Sequence, residues 1–139
     1  MQSEKGRQVK TPTFPYCIPH RRELSVRERE MLAFLLSTNA PDRLGELEQL
    51  TVIARCGCGQ CPGVLFGKDE SDEPVTQGAK LIADMMTTPT RNGFIGVMLW
   101  ATDARITELE LCSFGEFDIT ELPPVSDLKP FDAIEGNAQ

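Results

Sequence analysis

The sequence predicts an α+β protein, with two N-terminal helices packed on one antiparallel sheet of four or five strands. Three observations lead there. A capped, apolar-striped segment starts at Ser25, β-branched and alternating segments follow it at hairpin spacing, and the apolar residues after position 115 are too scattered for a second core. A length of 139 residues suits one domain, and 40% apolar, 25% charged and 6% aromatic residues suit a modest core. The expected division is an irregular lead-in over 1–22, a folded domain over 23–114 and an extended acidic strap over 115–139.

Gly6, Pro12, Pro15 and Pro19 make the lead-in irregular. Ser25 can cap a helix, with Glu28 at the reciprocal position of a capping box. Met31, Leu32, Leu35 and Leu36 then fall at helical spacing, widened by Phe34, until Pro41 disfavours helical geometry at Ala40. Asp42 can start a second, shorter helix carrying Leu44, Leu47 and Leu50, weakened by Gly45.

Thr51-Val52-Ile53-Ala54-Arg55 switches to strand, and Val64-Leu65-Phe66 resumes it beyond a glycine- and cysteine-rich connection, which suggests a hairpin. Lys68 to Gly78 has little to bury and reads as an exposed loop. Leu81, Ala83 and Met85 alternate, which favours a strand over 79–86. After the turn Thr88–Gly93, the segment Phe94–Ala101 reads as a strand nearly buried on both faces, with Phe94 and Trp100 in the core. Arg105–Cys112 alternates apolar with polar, as a partner strand open to water on one face would. In the strap, Phe117, Ile119, Leu122, Leu128 and Phe131 are expected to dock on the body.

Fourteen cations against twenty-one acids give a net charge of -7 and a pI near 4.7. That balance excludes a protein living by phosphate-backbone contacts, so no nucleic-acid partner is expected. Residues 1–30 carry +3, yet Arg27-Glu28-Arg29-Glu30 alternates in sign like a solvated helix start rather than a basic arm. No apolar run is long enough for a membrane helix. The first seven residues lead into no secretory signal, and five cysteines, three of them within six residues, do not resemble a disulfide framework. The expected compartment is the cytoplasm.

One segment can carry chemistry: Cys56-Gly57-Cys58-Gly59-Gln60-Cys61-Pro62-Gly63. Cys58-x-x-Cys61 has the spacing at which two thiolates reach one zinc ion. Cys17-x-x-His20, containing the one histidine of the chain, can complete a four-ligand set, with Cys56 as a possible substitute. The same dithiol has the spacing of a thiol redox site, but strands on both sides deny it the helix N-terminus that lowers such a thiol's pKa. A third reading is structural. Reduced cysteines are small buried hydrophobes, and a Gly-Cys alternation can fill a tight crossing between strands. No catalytic set assembles, since His20 stands alone and Glu108 and Glu110 lie on the polar side of their strand.

Leu24 to Glu30 leading into an apolar helix, then Arg55-Cys56-Gly57-Cys58-Gly59 and the closing hydrophobic hairpin, resemble a group of small uncharacterised bacterial proteins over residues 20 to 115. Gln60 interrupts what in that group would be a tighter Cys-Gly-Cys-Gly-Cys-Pro run. The resemblance implies a single bacterial domain and carries no activity, substrate or cofactor with it. The expected function is a non-catalytic cytoplasmic module that binds a protein partner or its own copy, without a cofactor. The alternative is a structural zinc protein using Cys17, His20, Cys58 and Cys61.

Overall fold

Ser25 starts the α-helix as its side chain suggests. Its hydroxyl accepts the Glu28 N–H at 3.1 Å, and its own N–H donates to Glu28 Oε1 at 2.8 Å, so both halves of the capping box are made. In the computed structural model, which describes residues 16–69 and 71–131, this helix (α1) spans Val26–Asn39. Expectations for 1–15 and 132–139 lie outside the described residues. Met31, Leu32, Leu35 and Leu36 are buried, and the Asn39 amide and the Ala40 N–H close the C-terminus on the Leu35 and Leu36 carbonyls.

The expected second helix is corrected to a 3-10 segment over Pro41–Gln49 with no buried residue. Its leucines recur every three residues, which matches the three-residue turn of a 3-10 helix better than the 3.6-residue α period. Leu50, just past its end, is buried in the core, and Leu47 packs against it partly buried.

The sheet is also larger than expected. Among the described residues it has seven antiparallel strands, not four or five: β1 Cys17–Arg22, β2 Thr51–Cys56, β3 Val64–Gly67, β4 Lys80–Thr87, β5 Gly93–Ala101, β6 Ile106–Gly115 and β7 Leu128–Pro130. Their spatial order is β1-β2-β3-β6-β5-β4-β7. The two unforeseen strands are the edges. One comes from the end of the expected lead-in and the other from within the expected strap. Each contains a proline, which an edge tolerates, and each buries little, so neither shows apolar alternation. Nor do two helices lead the chain, because β1 precedes α1.

Helix α1 covers one face of the sheet. Leu32, Leu35 and Leu36 pack there in one cluster with Phe66, Val97, Leu99 and Leu109. Across the sheet, Phe94 and Trp100 are only half-buried, contrary to the expected core placement. Their face is not the one α1 covers, and their rings find partners within it. Trp100 Nε1 donates to Glu110 Oε1 at 2.8 Å, and Phe94 stacks on Phe114 with centroids 4.8 Å apart. Among the described residues, no helix is long and apolar enough to cross a membrane.

Candidate metal centre

Strands β2 and β3 pair antiparallel, and the cysteine turn is what joins them. The neck is closed by the Cys56 N–H on Gly63 O at 3.0 Å, and the Gly59 N–H donates to Cys56 O at 3.1 Å. Gly59 has φ +77°, a left-handed conformation that disfavours any side chain. Arg55 Nη2 holds the turn by donating to Gly59 O at 2.9 Å.

This folding brings three sulfur atoms together. The Sγ atoms of Cys56, Cys58 and Cys61 all lie within 4.8 Å of one another, and each residue is half-buried. A tetrahedral zinc with 2.3 Å bonds needs sulfurs about 3.8 Å apart, so only small adjustments separate the trio from ligand spacing. Gly63 leaves room beneath them, since a Cβ there would sit 3.5 Å from Cys61 Sγ and 3.2 Å from Leu109 O.

The electrostatics of the trio are uneven. Burial works against a Cys58 thiolate. It is outweighed by the N–H groups of Cys61 and Gln60, which point at Cys58 Sγ from 3.3 and 3.4 Å and help lower its pKa to about 7. Cys61 is pushed up to about 12, first by burial and then by its thiol neighbours. One thiolate therefore forms readily, and further ionisation in so small a space calls for a cation.

Of the residues the sequence singled out, Cys58 and Cys61 meet, and Cys56 lies with them. Cys17 stands opposite Cys56 in the β1–β2 ladder, with its sulfur outside the trio. His20 falls where the β1–β2 register slips, between Pro19 and Arg22, and its Nε2 accepts the Arg22 Nε–H at 3.1 Å. It lines a hollow of about 350 Å³ together with Cys61, Arg22, Glu28 and Arg55. Cys112 belongs to β6, opposite Gly96, and is not part of the trio.

No protein-family model, curated protein or solved structure matches this chain.

Spacing alone did not reveal the groups that support the trio: the Gln60 and Cys61 amides and the Arg55 guanidinium. Glycines flanking Cys58 were the available signal, since they let backbone N–H groups approach a sulfur. Glu108 also departs from its expected solvated setting. Burial raises its pKa, the hydrogen bond donated by Tyr16 Oη opposes that, and Glu110 adds to the rise.

Proposed function

We propose that this protein binds a zinc ion at the Cys56–Cys61 turn, in a structural rather than a catalytic role. The convergence of three sulfurs within 4.8 Å carries this reading. Thiolate donors favour zinc over hard cations such as magnesium or calcium, and the amides aimed at Cys58 Sγ hold one donor ready for the ion. The ion would sit at the neck of the β2–β3 hairpin and tie its connection down, as structural zinc sites do. Reduced thiols of this kind suit the cytoplasm. Elemental analysis of protein purified without chelator is expected to give about one zinc per chain, lost in a Cys58→Ser/Cys61→Ser variant. Metal-free protein with all five thiols freely titratable overturns the reading.

The sheet face across from α1 supports a second reading, non-catalytic self-association. Phe94, Phe114 and Phe131 cluster there, with Phe114 44% exposed and its ring centroid 6.0 Å from that of Phe131. Light scattering is expected to show a dimer that Phe114→Ser weakens. A strict monomer at high concentration removes this reading.

A further inference from the structure

We infer that Cys17 supplies the fourth ligand of the Cys56–Cys61 site, so that the bound metal clasps the edge strand β1 to the sheet. This rests on the metal reading above and adds the closure of the site and its consequence for β1.

The strand ladder places Cys17 correctly. Cys17 pairs directly with Cys56, and the Gly57 N–H donates to Tyr16 O at 3.0 Å, one residue outside that pair. That hydrogen bond makes Cys17 and Cys56 a non-hydrogen-bonded pair, the class in which opposed side chains stand closest, with Cα atoms roughly 4.5 Å apart. Directly opposed residues also project to the same face of a sheet. Since Cys56 already belongs to the trio, a move of Cys17 between staggered χ1 wells swings its sulfur toward the same centre.

Coordination demands a fourth donor. Three thiolates leave one position on a tetrahedral ion, and structural sites fill all four. His20 is the rival. Its ring is exposed, and its Nε2 accepts the Arg22 Nε–H, so binding a metal there breaks a hydrogen bond that Cys17 does not have to break.

At this end β1 is otherwise held by the Gly57 N–H on Tyr16 O and by the Tyr16 hydroxyl on Glu108. Pro19 to Arg22 are exposed, so apolar burial holds β1 weakly. Its far end is fixed by the Arg22–Glu28 ion pair at 2.8 Å and by Thr51 Oγ1 donating to Arg22 O at 3.0 Å. At the near end, a Cys17–metal bond would fasten the strand covalently.

Cobalt substitution of the full-length chain tests this, because the intensity of the thiolate-to-cobalt charge-transfer band counts sulfur ligands. Cys17→Ser is expected to lose roughly a quarter of that intensity, as one ligand of four goes, while His20→Ala and Cys112→Ser keep all of it. Metal loading should slow hydrogen exchange at the Ile18 amide in the unaltered chain and not in Cys17→Ser or Cys17→Ala. Full intensity in Cys17→Ser, or loss in His20→Ala instead, overturns the assignment of Cys17. A chain that binds neither cobalt nor zinc overturns the metal reading itself.

Discussion

Arg22 grips both oxygens of Glu28, Nη1 on Oε1 and Nη2 on Oε2, each at 2.8 Å, while Oε1 also accepts the Ser25 N–H. One buried carboxylate thus joins the end of β1 to the first turn of α1. Burial raises the Glu28 pKa, but the Arg22 hydrogen bonds and the Ser25 N–H outweigh it, and the net shift is downward. A lowered carboxylate pKa contributes stability that is fully present above the unfolded value, about 4.3, and disappears as pH falls through the folded one. Glu28→Ala should therefore cost about 2–3 kcal/mol at pH 7, from the lost cap and charge-assisted bonds and with the partial exposure of Arg22 taken into account. Urea denaturation should show the gap between variant and parent narrowing toward pH 3.

Cys58 should be the most reactive thiol of the metal-free trio at neutral pH. Its pKa of about 7 leaves a large thiolate fraction, whereas Cys61, near 12, stays protonated. Brief alkylation at pH 7 followed by peptide mapping should find Cys58 labelled first and Cys61 last. Zinc should protect both, and its affinity should fall with pH throughout this range, because binding displaces the Cys61 proton, and more steeply below about 7, where protons also compete for Cys58. Equal labelling of the two thiols contradicts the electrostatic picture.

The features that depend on neighbours in sequence were the legible ones. Ser25 and Glu28 are three residues apart, and a capping box needs nothing more distant. The β5–β6 hairpin announces itself by alternation over Arg105–Cys112. Strands β1 and β7 were hidden because they pair through backbone groups at the sheet edges, where Pro19 and Pro130 are allowed and no apolar period is required. The face of Trp100 was misjudged because apolar content alone cannot tell which side of a strand a helix will cover. The sulfur cluster was half visible. Cys58-x-x-Cys61 is a local spacing, but the membership of Cys56 depends on the ladder bond to Gly63, and the position of Cys17 depends on pairing across thirty-nine residues of chain.

Two glycines meet at the open end of the β5–β6 hairpin, and replacing one should be costly. Gly93 has φ +115°, and a Cβ there would lie 2.1 Å from Phe114 O, across from its partner Gly115. Gly93→Ala combines an unfavourable backbone conformation with a collision against a neighbouring carbonyl, so about 3 kcal/mol should be lost. For a chain of this size that lowers Tm by about 6–12 °C. Gly78 separates the two effects. Its φ is +84°, but nothing lies within 4 Å of a Cβ there, so Gly78→Ala should cost only about 1–2 kcal/mol. Similar melting shifts for the two variants would mean that the Gly93 collision relaxes.

Arg55 should matter to the metal more than to the fold. Its side chain is half-buried and donates from Nη2 to Gly59 O, holding the left-handed turn from which Cys58 and Cys61 project. Without that bond the hairpin ladder of β2 and β3 remains, because its hydrogen bonds are between backbone groups. The turn, however, can sample geometries in which the sulfurs are further apart, and binding must then spend free energy on gathering them. Arg55→Ala should weaken zinc binding by about tenfold in competition with a chelating dye. The urea midpoint of the metal-free variant should stay close to that of the parent. Arg55→Lys restores a positive charge but not the planar donor, so it should rescue little of the affinity. Full rescue by lysine would show that charge, rather than the directed hydrogen bond to Gly59, is what Arg55 contributes.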